Sequence, residues 1–207
     1  MSDLPIILFE GEEDRSFLAE LLKVLGLHEK LEFHKQCGGK DKFKKILEGL
    51  VISNRKAIII VADNDGDPAG AFKNIQRQIG EAGFTIPPKQ RETVETPNLP
   101  PLSVLMIPWD NDSGCLETLC LSAANPDYKN QLDCADKLVK CAGAEKWPIA
   151  KRAKLRMRGF LSAVCKSDPN TGLRYAWSTD ERPGDIFPLK GVVAYNQIAE
   201  YLKGFAI

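Results

Sequence analysis

The apolar run Ala57–Ala62 ends abruptly in Asp63, Asp65 and Asp67, within the stretch AIIIVADNDGDPAGAF (57–72). An unbroken apolar run of this length fits a strand buried on both faces, the pattern of parallel sheets covered by helices. Carboxylates gathered at one strand tip repel one another, so a positive group or solvent must relieve them. A divalent cation, a lysine and plain solvent are the candidates.

The rest of the first half repeats this pattern. PIILFE (5–10) reads as a short buried strand. EEDRSFLAELLKVLG (12–26) carries Phe17, Leu18, Leu21, Leu22 and Leu25 at helical spacing, with Gly26 as its stop. LEFHKQC (31–37) reads as a strand before a Gly38-Gly39 turn, and KDKFKKILEGLVIS (40–53) as a helix. A further helix runs from about Pro68 to Ala82, with proline suited to its first turn. TIPPKQRETVETPNLPPLS (85–103) holds five prolines and predicts an exposed excursion. SVLMIP (103–108) resumes as a strand, and GCLETLCLSAA (114–124) as a helix.

Strands alternating with helices predict an α/β fold with a mainly parallel sheet. Ligands of such sheets gather outside the carboxyl ends of the strands. Those ends are acidic here: Glu10, Asp63 and, just past the last strand, Asp110. The last third differs, with helical patterns over 127–143 and 148–165 and an amphipathic helix within 185–205. The expected division is an α/β domain over 1–126 and a helical extension over 127–207 packed on it.

Lys+Arg and Asp+Glu both number 28, so no global charge draws the chain to nucleic acid or membrane. The N-terminal segment MSDLPIILFEGEED has no basic stretch and only a short apolar run, which predicts neither a signal peptide nor a membrane span. Six cysteines without a C-x-x-C pair argue against structural zinc and for reduced thiols in the cytoplasm. Cys134 and Cys141 share a helix face and are expected as small buried hydrophobes.

FEGEED (9–14) followed by VADNDGD (61–67) resembles the toprim domain of topoisomerases, primases and overcoming-lysogenization-defect nucleases. The likeness spans roughly residues 4–124, closest to small stand-alone toprim proteins of uncharacterised function. It implies that Glu10 is a catalytic metal ligand, that Asp63 and Asp65 form the Asp-x-Asp pair, and that Asp14 and Glu117 add the ligands of the nuclease branch. A lysine beyond the acids assists catalysis in that branch, and Lys151 and Lys154 are the positional matches. The implied cofactor is Mg²⁺ or Mn²⁺, which takes oxygen ligands and can stabilise attacking and leaving oxygens of a phosphodiester. Gly11 and Gly66 are expected to shape the turns behind the two strands. Asp67 before Pro68 reads as a helix cap, and Asp110 and Asp112 as turn and cap residues. Asp14 reads equally as a first-turn residue favoured by the helix dipole.

From Lys146 to Lys166, both included, there are seven basic residues and no acid. At helical spacing Ile149, Ala153, Met157, Phe160 and Val164 form the apolar face, Lys151, Lys154 and Arg158 lie opposite, and Arg152 and Arg156 flank. The bland reading is a solvated face; the sharper one is a phosphate-contacting surface, since acids for i,i+4 pairing are missing. His28, His34 and the three tryptophans suggest structural roles, and Gly38-Gly39-Lys40 is too short for a phosphate loop.

The leading expectation is therefore metal-dependent phosphodiester chemistry on nucleic acid, as a nuclease. The chain carries neither an ATPase nor a DNA-gripping domain, which disfavours topoisomerase and primase activities. A non-catalytic nucleic-acid or partner-binding protein with a vestigial metal site is the rival, and a small-nucleotide phosphohydrolase or transferase the third reading. No membrane partner is expected, and self-association or a larger partner protein stays open.

Overall fold

The computed structural model describes residues 3–35, 39–51, 53–109, 112–165, 168–177 and 186–206. It is an α/β protein built on a five-stranded sheet of order β2-β1-β3-β5-β4. The strands are β1 (Ile6–Phe9), β2 (Glu32–Phe33), β3 (Ile58–Asp63), β4 (Val94–Thr96) and β5 (Leu99–Ile107). Three pairings are parallel, β1 with β2, β1 with β3 and β3 with β5, while β4 joins β5 antiparallel. The helices are α1 (Glu12–Val24), α2 (Phe43–Leu50), α3 (Pro68–Glu81), α4 (Leu116–Ser122), α5 (Lys129–Cys141), α6 (Ile149–Val164) and α7 (Val193–Lys203).

Side chains alternate across each strand, so the apolar runs feed two cores. Ile7, Ile59, Val61, Leu105 and Ile107 pack with α1, α4, α5, α6 and α7. Ile6, Leu8, Ile58, Ile60, Ala62, Val104 and Met106 pack with α2 and α3. The helices of the last third thus share their core with the sheet: Met157, Phe160, Tyr195, Ile198 and Leu202 lie with Ile7 and Val61. Tyr201 on α7 adds a hydroxyl–hydroxyl bond of 2.6 Å to the buried Ser103 of β5.

Several sequence expectations are corrected. The proline-rich 85–103 stretch is not all excursion, because β4 and the start of β5 lie within it as a hairpin. Edge and strand-end positions tolerate proline, whose missing N–H need not face a partner. The strand expected over 31–37 shortens to two residues, with Gln36 and Cys37 outside the described residues. Cys134 and Cys141 are exposed, not buried, because α5 packs through Ala135 and Val139 instead. On α6 the buried stripe is Ala150, Ala153, Met157, Phe160 and Leu161, rotated from the expected one, which leaves Ile149 and Val164 half-buried.

Among the described residues, no helix is long and apolar enough to cross a membrane.

Candidate active site

β1 and β3 are adjacent and parallel, so Glu10, one residue past β1, and Asp63, the last residue of β3, reach the same sheet edge. The backbone N–H of Asp63 donates to Glu10 Oε1 at 3.4 Å. Asp63 keeps the strand parity of Ile59 and Val61, hence faces the side covered by α1, α4 and α6. There its Oδ1 accepts the N–H of Leu116 at 3.0 Å, at the first turn of α4. Asp14, in the first turn of α1, accepts the Gly11 N–H at 2.8 Å. Both helix N-termini thus point at one place, and their partial positive charge favours carboxylates there.

Glu10, Asp14, Asp63, Glu117 and Lys154 line one cleft of about 180 Å³, together with Glu13 and Gly39. Oxygen atoms of Asp63 and Glu117 and the Cys115 sulfur lie within 4.8 Å of one another. The thiol is pushed up to about 12 by burial, reinforced by Glu117 and Asp63. It stays protonated and packs against the Ala150 carbonyl at 3.9 Å, so the carboxylates are the groups here that could hold a hard cation.

Burial lifts the Glu10 carboxyl to about 7, and the charges of Asp14 and Asp65 add to this. Asp14 is likewise raised to about 7 by burial, against the Gly11 N–H, with Glu117 and Glu13 adding repulsion. Asp63 is raised well above the usual range by burial, then by Asp14, Glu10 and Glu117. Burial opposes the charge of Lys154, yet Glu117 and Asp63 hold its pKa above the ordinary lysine value.

Two lysines supply the positive charge that the strand-tip acids call for. Lys154 extends from α6, whose first half packs on α4 through Cys115, Ala150 and Ala153. Lys40 meets Asp65 at 2.5 Å, which raises its pKa. Asp65 therefore stands beside the cleft rather than lining it. The sequence pattern marks Lys40 only as part of a turn. Its position after β2, on the same sheet edge, is the signal for more.

The remaining predicted residues divide. Arg158 and Lys154 line a second groove that also includes Glu13 and Glu117. The Lys151 ammonium sits over the Trp147 ring at 4.3 Å, and Lys151 does not line the acidic cleft. Arg152 donates to the Glu145 carbonyl at 2.8 Å, and Arg156 pairs with Asp136 at 2.6 Å. The acid missing from α6 itself comes from α5, so Arg156 is a helix-to-helix tie. Gly11 has extended backbone that any residue adopts, and the left-handed residue of the Asp-rich turn is Asp65 (φ 52°), not Gly66. The buried Asn64 between the two acids donates to the carbonyls of Pro108 and Asp112, at 2.8 and 3.0 Å, tying the β3 and β5 exits together. Asp110 lies outside the described residues.

The family described as "Protein of unknown function (DUF3226)" matches residues 5–179, a span that includes every one of these side chains. The chain belongs to that family. No curated protein and no solved structure matches this DUF3226 chain.

Asp67 in the DUF3226 chain caps α3, accepting the Gly70 N–H at 3.0 Å. Asp67→Ala is expected to cost about 1 kcal/mol and to lower Tm by roughly 2–4 °C for a chain of this size. Its response to divalent ions should match the wild type; a lost response would make Asp67 a ligand.

Proposed function

We propose that the acidic cleft holds Mg²⁺ or Mn²⁺ and hydrolyses phosphodiesters of nucleic acid, in the manner of a toprim-type nuclease. The observation that carries this reading is the convergence of Glu10, Asp14, Asp63 and Glu117 in one cleft. Burial and mutual repulsion raise three of these carboxyls, the condition a bound divalent cation relieves. The four carboxylates fit a hard cation that keeps several waters. Such an ion would polarise the phosphoryl oxygen and lower the pKa of an attacking water. Among the chain's own groups, Lys154 lies where it can pair with a phosphate oxygen beside the acids, and Arg158 lies one turn further along α6. Arg158 thus extends the phosphate-contacting edge.

A non-catalytic reading draws on a different observation. Lys40 and Lys154 already place two positive charges among the acids, which is how a vestigial site would neutralise itself. Ion binding separates the two. At about a hundred times its dissociation constant, Mn²⁺ is expected to stabilise the fold by roughly 2.7 kcal/mol, about 5–10 °C in Tm. Asp63→Asn combined with Glu117→Gln should remove the shift, since asparagine can still accept the Leu116 N–H. A wild type indifferent to Mg²⁺ and Mn²⁺ would leave the non-catalytic reading.

A further inference from the structure

Beside the acidic cleft, a groove of about 560 Å³ runs between α6 and residues 169–173, sharing Glu13, Glu117 and Lys154 with that cleft. Its size falls in the range of small-ligand sites, about 300–1,000 Å³. Met157, Leu161 and Leu173 contribute apolar lining from the core, and Lys154 and Arg158 contribute charge. The opposite wall is a fixed turn. Asn170 N–H donates to Asp168 Oδ1 at 2.9 Å, Thr171 Oγ1 to the Asp168 carbonyl at 2.7 Å, and Ser162 Oγ to the Pro169 carbonyl at 2.7 Å. The Asn170 side-chain amide holds no hydrogen bond among the described residues, so it keeps a donor pair and an acceptor for a ligand.

A groove of mixed lining, with three apolar side chains, one amide at its wall, and two cations beside the carboxylates of Glu13 and Glu117, can seat a nucleoside next to phosphates. Resting on the nuclease reading above, we propose that this groove seats the sugar and base of the nucleotide adjoining the phosphodiester at the acidic cleft, so that the bound strand is single-stranded. A base inside a duplex has both faces stacked and its pairing edge occupied, and cannot enter a slot without leaving the stack. Asn170 then meets a base edge, while Lys154 and Arg158, one helical turn apart, meet the phosphates on either side.

Gly172 lines the groove and takes a larger side chain without strain: its φ is −84°, and a Cβ there would meet nothing within 4 Å. Binding is measured without divalent ions, so that it does not depend on cleavage. The probes are a labelled short oligonucleotide as single strand and as duplex, in DNA and RNA form, with a free nucleoside monophosphate as competitor. Gly172→Phe is expected to weaken single-strand binding about tenfold, the equivalent of about 1.4 kcal/mol, with Tm and duplex binding unchanged. Asn170→Ala should flatten the preference among bases severalfold while keeping the Tm. Wild-type affinity in Gly172→Phe, with metal-dependent cleavage intact, would overturn the nucleoside seat and leave the nuclease reading standing. Equal wild-type affinity for duplex and single strand would also overturn it, as would a monophosphate binding as tightly as the strand. Failure of the wild type to bind any of the probes would overturn the nucleoside seat, and cleavage assayed with Mn²⁺ would then decide the nuclease reading by itself.

Discussion

Glu10→Gln is expected to remove Mn²⁺-dependent cleavage of a single-stranded oligonucleotide while leaving its binding close to wild type. Glu10 follows β1 directly and its carboxylate lies in the acidic cleft, where it also accepts the Asp63 N–H. Glutamine keeps an oxygen for that N–H and the same volume, so the fold should hold. What it loses is a charged ligand, and with it stabilisation of charge developing in the transition state. The expected loss is roughly 10²–10³ in rate, the scale of losing one electrostatic stabiliser of the transition state. Lys154→Ala with Arg158→Ala should fail differently. Binding weakens, and its salt dependence flattens by about 0.7 to 0.9 log units for each phosphate that the protein no longer neutralises. Cleavage by Glu10→Gln at the wild-type rate would remove Glu10 from the chemistry.

The second large effect concerns stability in the presence of a chelator. The folded carboxyls of Glu10 and Asp14 sit at about 7, against 4.5 and 3.8 for the unfolded groups. Between roughly pH 4 and 7 the folded protein therefore holds protons that the unfolded chain has released. Stability must fall as pH rises through that window, and the full cost is present above it. For a shift like that of Glu10 the cost is on the order of 3 kcal/mol, or about 5–10 °C in Tm between pH 5 and pH 8. Saturating Mn²⁺ should abolish most of the slope, because the ion holds the carboxylates ionised. A Tm that rises from pH 5 to pH 8 under chelator would contradict the crowding of acids described above.

The acidic edge was legible because it depends on strand ends. A buried run stopping at Asp63 and another stopping near Glu10 leave little freedom once their strands pair in parallel. Asp14 and Glu117 come from the resemblance to the nuclease branch, and they stand near the edge because α1 and α4 start beside those ends. The hairpin of β4 and β5 was not legible, since proline-rich sequence is the usual mark of an excursion and pairing between strands is a tertiary matter. Residue roles on α6 were only half readable. Periodicity gives a helix face, yet a small rotation decides whether Lys151 or Lys154 meets the acids, and packing of Ala150 on Cys115 sets that rotation. Lys40 stayed hidden for a related reason: its partner, Asp65, is far away in sequence and adjacent only in the folded sheet.

One sheet face owes much of its cover to the last third of the chain, and this has a consequence for synthesis. β5 ends at Ile107, but α7, which brings Tyr195, Ile198 and Leu202 against Ile7 and Val61, begins only at Val193. At about 5–20 residues per second, roughly 4–17 s separate the two on the ribosome. Until then Phe17, Ile59 and Leu105 lack part of their final packing, and so does the helix that carries Lys154. The emerging chain thus has an aggregation-prone interval between sheet and cover, during which Lys40 is already beside Asp65 while Lys154, the second balancing lysine, sits on a helix not yet fully packed.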